Sequence, residues 1–441
     1  MSEELRLGLA GLGTVGASLL QMLERHPGEI AERCGRSVAV RGVSARHRIK
    51  RRAADISPYR WFDDPVELAR NPEIDVFVEL IGGESGKAED AVRAALTAGK
   101  HVVTANKALL AASGQQLAEL AEQNGVSLNF EAAAAGAIPI VKTLREALAG
   151  NTVRRLYGIL NGTSNYILTR MEREGIDFDT CLRDAQRLGY AEADPSFDIG
   201  GQDTAHKLAI LTAIAFGTRI DAGAVYVEGI AAVTPADLEA ADELGYSLKL
   251  LGIAVMTETG IEQRVHPAMI PKSSPIAAID GVTNAVAIEA DFAGELMLSG
   301  PGAGGDATAS AVVSDIADIA RGIRIPTFGR PASRLEPHRR AAMRAHAGGY
   351  YLRLTVFDRP GAFAAIATRM AEHGISLESI VQRRREPHAR APEHLEPAAP
   401  QPVIMITYET TESAIRTALD EIHADGHIAD EPQLIRIEPL S

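Results

Sequence analysis

Cysteine is almost absent from this chain: Cys34 and Cys181 are the only two in 441 residues. A framework of several disulfides is therefore excluded, and a reducing compartment is compatible with the sequence. A basic surplus is missing as well, since 45 Lys and Arg face 58 Asp and Glu, a net charge of −13. That balance argues against a nucleic-acid or anionic-membrane partner, either of which needs a basic face. No apolar run approaches the roughly 18–20 residues of a membrane span. The opening "MSEELRLGLAGLG" lacks the basic and apolar regions of a signal peptide. A cytoplasmic protein is the simplest expectation.

What is present is a clear rhythm. The length suffices for two or three domains. Over residues 1–132, short apolar runs such as "LRLGLAG", "SVAVRGV", "DVFVELIG" and "HVVTAN" alternate with amphipathic stretches. This alternation predicts an α/β domain with a doubly wound parallel sheet. Residues 133–330 mix longer helical segments with strands and read as an α+β domain; "GPGAGGDATASAVVSDIADIARG" is a glycine turn feeding a long helix. Residues 331–348 are polar and basic and read as a linker. Residues 349–441 follow a βαββαβ pattern, interrupted by a proline-rich loop over 385–402.

"GLGTVG" sets Gly11, Gly13 and Gly16 directly after the first strand, where a helix opens. In that context the free amides and helix dipole make a pyrophosphate site rather than a simple turn. An NAD site usually carries an acid at the end of the second strand. Here "GVSARHRIKRR" offers Arg46, Arg48, Lys50, Arg51 and Arg52 instead. The run predicts a cradle for a 2′-phosphate, hence NADP with NAD as the alternative; a solvated basic loop is the plain reading. Lys107 in "TANKALL" lies just past a strand end, the ligand edge of such sheets. Asn161-Gly162-Thr163-Ser164 ends another strand, either as a helix cap or as a donor-rich loop facing a ligand.

The stretch "YAEADPSFDIGGQDTAHKLAILTAIAF" places Glu192, Asp194, Asp198 and Asp203 around a broken loop, then Lys207 at the start of an apolar helix. Asp203 and Lys207, four apart, share one helix face and could be an exposed ion pair. The apolar continuation predicts burial instead. A buried ammonium needs carboxylates beside it, and one so placed is a candidate proton donor.

Taken together, "GLGTVG", "TANKALL", "FEAAAAGAIPIV", "GILNGTSNYIL", "AQRLGYAEADPSFDIGGQDTAHKLAIL" and "GPGAGGDATASAVVSDI" resemble homoserine dehydrogenase, in order, over roughly residues 5–325. The tail, with "DRPGAFAAIATRMAEHGIS", resembles an ACT domain, an amino-acid-sensing module. The resemblance implies reversible reduction of L-aspartate 4-semialdehyde to L-homoserine, with Lys207 giving the proton. It implies that Glu192 holds the substrate ammonium with Asp198 and Asp203 nearby, and that Gly162 and Thr163 line the same pocket. Lys107 would lie between substrate and cofactor. Thr14, Val15, Ile81, Gly189 and Gly304 join the glycine turn and Arg46 as implied cofactor contacts. A monovalent cation, sodium in the family, maps to Glu131, Ala134, Gly136 and Ile138. Also implied are a homodimer or homotetramer and a threonine effector held near the "DRPG" turn.

A close rival is another semialdehyde-type or sugar dehydrogenase on the same fold. An acylating semialdehyde dehydrogenase needs a nucleophilic cysteine, and neither cysteine falls at a strand-end cofactor edge. A non-catalytic NADP- and amino-acid-sensing regulator would keep the glycine turn and tail but has no need of a buried lysine among carboxylates.

Overall fold

The structure is a computed structural model that describes residues 4–341, 347–357, 359–382 and 400–440. Six strands form the first sheet: β1 (Leu5–Ala10), β2 (Val38–Ser44), β3 (Arg60–Phe62), β4 (Val76–Glu79), β5 (His101–Thr104) and β6 (Leu128–Asn129). All pair in parallel, in the order β3-β2-β1-β4-β5-β6. The order reverses between β1 and β4, so the crevice beyond their C-terminal ends is where a dinucleotide belongs. The short β3 strand, "RWF", went unanticipated; three residues carry too little period to be legible.

The second sheet has eleven strands. β7 (Val153–Ile159), β8 (Tyr226–Val227), β9 (Tyr246–Thr257), β10 (Gly260–Pro271), β11 (Thr283–Ala290) and β12 (Gly294–Pro301) belong to the middle of the chain. β13 (Ala347–Val356), β14 (Leu377–Gln382), β15 (Gln401–Thr407), β16 (Thr410–Thr411) and β17 (Gln433–Ile437) belong to the tail. Its main path runs β12-β11-β7-β9-β10-β17-β13-β15-β14. The tail is thus a βαββαβ unit whose last strand pairs in parallel with β10, through Ala268↔Arg436 and Met269↔Ile437. The described start of the stretch expected as a linker, residues 331–341, is laid against the body. Arg219 N–H donates to the Glu336 carbonyl at 2.8 Å, and Ile261 N–H donates to the Arg339 carbonyl at 2.7 Å. Most of the proline-rich loop, 385–402, lies outside the described residues, as does Asp358 of the "DRPG" turn.

Buried charges join the tail to the middle of the chain. Asp237, wholly buried, closes the capping box of helix Pro235–Glu243 and accepts from Tyr351 Oη at 3.0 Å and Arg353 Nε at 2.7 Å. Arg264 donates from Nη2 to Glu438 Oε1 at 2.9 Å. Arg436, also wholly buried, donates to Glu228 Oε2 at 2.7 Å and to Glu412 Oε1 at 2.6 Å. Removing one member of such a set strands the others without water. Arg436→Met is therefore expected to cost about 3–5 kcal/mol, read as a fall in melting temperature. Truncation at residue 340 should behave alike, since it strands Asp237 and Arg264. A truncated protein that melts cooperatively at the full-length temperature would show that the tail is merely appended.

Candidate active site

The site is built on helix Gln202–Phe216, which buries twelve of its fifteen residues. Gly201 and Gly217, both left-handed, delimit it. Lys207 sits in the second turn, 8 % exposed, with Asp203 one turn before it at 4 %. Its ammonium donates to Asp203 Oδ2 at 2.9 Å and to the Leu160 carbonyl at 2.7 Å. An ammonium has three donors, so one remains for a ligand oxygen. The pair is buried, not a surface i,i+4 pair.

Lys107 comes from the parallel-sheet domain, just after β5. It is the first residue of helix Lys107–Gln123, whose cap, Asn106, accepts from Leu109 N–H at 3.0 Å. Its Nζ lies 3.1 Å from Asp203 Oδ1. One buried carboxylate thus faces two ammonium groups. Burial alone would raise the Asp203 carboxyl, but Lys207 and then Lys107 outweigh it and hold its pKa well below the ordinary value.

Asn161 completes the cluster. Its Nδ2 donates to Asp203 Oδ2 at 2.8 Å and to Asp198 Oδ1 at 2.9 Å, while its Oδ1 accepts from Ser164 N–H at 2.8 Å. The residue caps helix Gly162–Glu174, the plain reading of that strand end, and also gathers two carboxylates. Burial and then the Asp203 charge raise the pKa of Asp198, opposed by the bond from Asn161. Thr163 Oγ1 donates to the Tyr190 carbonyl at 2.6 Å, tying the acidic loop to the same helix. Gly162 begins that helix where an added Cβ would lie 2.8 Å from the Val282 carbonyl.

A cavity of about 260 Å³ opens between the two sheets. Val15, Ile81, Lys107, Ala134, Gly136 and Lys207 all face it, so residues assigned by sequence to cofactor, cation and catalysis share one wall. Glu192 is exposed and Gly189 lies on an exposed turn; neither is on that wall, and neither are Asp198, Gly162, Thr163, Gly304 or Arg46. Asp194 accepts from Ser196 N–H at 3.1 Å in the exposed loop.

The glycine turn fits a pyrophosphate. Gly11 has φ +100°, and a Cβ there would meet the Leu80 carbonyl oxygen at 2.2 Å. A Cβ on Gly16 would meet the Gly11 carbonyl oxygen at 2.1 Å, whereas one on Gly13 meets nothing within 4 Å. The chain is thus pressed tight behind the turn and open in front, where the first amides of helix Thr14–Arg25 point. Sequence reading missed Glu79. Wholly buried at the end of β4, it accepts from Ile81 N–H at 2.7 Å, Gly82 N–H at 3.0 Å and Thr104 Oγ1 at 2.6 Å, and so shapes the facing turn. An acid inside an apolar strand was the available signal.

The basic run after β2 divides. Arg46 and Arg48 are exposed. Arg52 folds back instead, donating to the Lys50 carbonyl at 2.8 Å and the Arg48 carbonyl at 3.1 Å, with its guanidinium over Trp61. It holds the loop's shape and is not part of an open cradle.

The turn carrying Glu131, Ala134, Gly136 and Ile138, where the resemblance sets a cation, is closed by buried acids. Glu131 is buried and accepts from Val141 and Lys142 N–H at 2.9 and 2.8 Å. Its own N–H donates to Asp315 Oδ2 at 2.8 Å, while Asp315 Oδ1 is buried with no hydrogen-bond partner. Burial and the Glu131 charge push Asp315 up to about 7. An orphaned carboxylate oxygen beside a second carboxylate and a carbonyl-rich turn suits a monovalent cation. Both cysteines are buried away from the cavity, and burial pushes the Cys181 thiol up to about 11. That leaves no thiolate for acyl chemistry. Among the described residues, no helix is long and apolar enough to cross a membrane.

Comparison with known proteins agrees along the whole chain. The profile described as "Homoserine dehydrogenase, NAD binding domain" matches residues 11–131, "Homoserine dehydrogenase" matches 139–317, and "ACT domain" matches 350–426. Homoserine dehydrogenase of Pseudomonas aeruginosa is 42% identical over 445 residues, covering 100% of both chains. That of Neisseria gonorrhoeae is also 42% identical, covering 99% of each. The crystal structure of a homoserine dehydrogenase from Thiobacillus denitrificans superposes with TM-score 0.92 at 42% identity, covering 100% of this chain and 99% of that one. A hyperthermophilic archaeal homoserine dehydrogenase in complex with NADPH gives TM-score 0.62 at 27% identity, covering 74% of this chain and 100% of its own. On the doubly wound sheet, the second α/β domain and the C-terminal ACT domain alike, the chain belongs to the homoserine dehydrogenase family of nicotinamide-dependent oxidoreductases.

Proposed function

We propose that the chain reversibly reduces L-aspartate 4-semialdehyde to L-homoserine with NADP(H), and that Lys207 moves the proton. The observation that carries this is the buried Lys207 ammonium, held by Asp203 and Leu160 at the wall shared with Val15 and Ile81. The nicotinamide, when bound, supplies or accepts the hydride. Lys207 then donates its remaining N–H to the aldehyde oxygen and delivers the proton as the alkoxide forms; in the oxidative direction it takes that proton back. Lys107 orients the same oxygen from the cofactor side and shares the counter-charge of Asp203. Glu192, with Asp198, receives the substrate ammonium from the exposed loop, while Gly162 and Thr163 fix that loop on its helix.

Aspartate semialdehyde and NADPH consumption measured together test the reading. Lys207→Ala should lower kcat by about 10²–10⁴-fold with NADPH affinity unchanged. A variant that keeps more than about a tenth of wild-type turnover removes Lys207 from the proton step. Asn161→Ser preserves a capping oxygen but loses the amide that holds Asp198 to Asp203. Without that donor the Asp198 pKa rises further, so the acid limb of the kcat/KM profile should move to higher pH. An unmoved limb with a reduced melting temperature would leave Asn161 with capping alone.

The cofactor is NADP(H) in preference to NAD(H), because Arg46 and Arg48 stand exposed beyond β2 where an acid would otherwise meet the ribose. Each charge-assisted contact to the 2′-phosphate should contribute roughly 1.5–3 kcal/mol. Arg46→Ala and Arg48→Ala should therefore raise the KM for NADPH and leave that for NADH in place. Equal effects on both cofactors would mean the arginines serve only the loop.

A monovalent cation, sodium first, is held by Glu131 and the carbonyls of Ala134, Gly136 and Ile138. Replacing sodium chloride by choline chloride at equal ionic strength should lower the melting temperature of the wild type and not of Glu131→Gln. Identical curves in both salts would dismiss the site. The enzyme works as a homo-oligomer in the cytoplasm, on the route to threonine, methionine and isoleucine. Its ACT domain senses an amino acid, threonine being the first to test.

A further inference from the structure

Glu79 closes β4 and stands in register with Ala10 on one side and Thr104 on the other. Those two residues close β1 and β5, which run on into the glycine turn and into Lys107. The Glu79 side chain is wholly buried, and its three hydrogen-bond partners are all donors. Ile81 and Gly82 N–H meet Oε1, while the Thr104 hydroxyl meets Oε2.

The bonds do not end there. A threonine hydroxyl has one hydrogen, and that of Thr104 is given to Glu79. Its oxygen accepts in turn from Asn106 N–H at 2.9 Å. Asn106 then reaches back, donating from Nδ2 to the Gly83 carbonyl at 2.7 Å, beside the amides that Glu79 holds. The bonds therefore close into a ring, from Glu79 through the turn over 81–83 to Asn106, Thr104 and Glu79 again. Gly82 and Gly83 have φ of +83° and +93°, and neither belongs to a helix or strand that would hold the turn.

Two parts of the site are carried on this ring. Ile81 and Gly82 line the 260 Å³ cavity, and so do Asn106 and Lys107. Asn106 fixes the helix start from both ends of the residue: its Oδ1 accepts from Leu109 N–H at 3.0 Å and its carbonyl from Leu110 N–H at 3.1 Å. Lys107 follows directly and reaches Asp203 Oδ1, 3.1 Å from its Nζ. A lysine stem is flexible, so the geometry at its ammonium is only as well defined as the backbone that carries it.

We propose that Glu79, acting through Thr104 and Asn106, is the positioning residue for Lys107. Its carboxylate holds the turn over 81–83 and the start of the Lys107 helix as one body, and so sets where the Lys107 ammonium stands at Asp203. Glu79 is not itself on the cavity wall. The kinetic part of the proposal rests on the dehydrogenase reading given above. A buried acid that served folding alone would lower stability without acting through Lys107.

Thr104→Val removes both the donor to Glu79 and the acceptor for Asn106. It should lower kcat with aspartate semialdehyde about 10–100-fold, the scale of a misplacement of about 1 Å. The KM for NADPH should change less, because Glu79 keeps its bonds to Ile81 and Gly82. Thr104→Ser retains the hydroxyl and should restore most of the turnover. In a Lys107→Ala background, Thr104→Val should cost less than about threefold more, because residues acting as one unit are not additive. Unchanged kcat in Thr104→Val, or an equal loss with and without Lys107, overturns the proposal. Crystal structures of wild type and Thr104→Val give a readout apart from catalysis. Lys107 Nζ should lie beside Asp203 in the wild type and beyond about 4 Å, the limit of an ion pair, in the variant. An unmoved Lys107 overturns the positioning role. If melting curves show that Thr104→Val does not fold, Glu79→Gln takes its place with the same expectations, since it offers Thr104 a donor where an acceptor is needed. If wild type does not oxidise NADPH with aspartate semialdehyde, the dehydrogenase reading fails and the crystal comparison alone decides the positioning of Lys107.

Discussion

One carboxylate, that of Asp203, is the constraint on which the rest of this molecule turns. It is buried, and an isolated charge there would be too costly to keep. It is kept because two ammonium groups from different parts of the chain converge on it, with an amide donor from a third. Lys107 comes from the helix after β5, Lys207 from its own helix and Asn161 from the end of β7. Three elements distant in sequence are thereby set within hydrogen-bond reach of one another. The same arrangement leaves Lys207 with one free donor beside the cavity. Packing and the free donor follow from one charge balance.

Such a balance needs the two sheets held at a set distance, and the remainder of the fold supplies this. The parallel sheet delivers Lys107 at the ligand edge of its switch point. The larger sheet supports the Lys207 helix and β7. Glu79 performs at the glycine turn what Asp203 performs at the lysines, a buried acid whose bonds set the backbone facing a ligand. At the Glu131 turn the satisfaction is incomplete, since Asp315 keeps one oxygen without a hydrogen-bond partner. That difference separates a self-contained acid from one suited to an external ion.

The ACT domain repeats the theme on a larger scale. Its last strand extends the sheet through β10, and Arg264, Arg436 and Asp237 are each buried against partners from the other side. Such groups contribute less to net stability than to specifying one arrangement, because each alternative docking strands a charge. The domain is therefore an integral layer of the molecule.

Much of this was legible in the sequence. The alternation of β1, β2, β4, β5 and β6 with helices, the glycine turn and the βαββαβ tail are local patterns, and local patterns follow from backbone geometry and periodicity. Lys207 stood out because an ammonium inside an apolar helix must be compensated nearby. The partners were another matter. That Lys107 shares Asp203, that Asn161 joins Asp198 to it, that Arg52 caps its own loop and that β17 docks on β10 all depend on contacts absent from any single segment. Side-chain direction and strand edges decide them, and both are set only when the elements pack. Sequence determined most of the elements and marked Lys207 as a charge that needs partners. Tertiary structure decided which residues meet it, because a charge is stable in the interior only beside the partners that the whole fold brings to it.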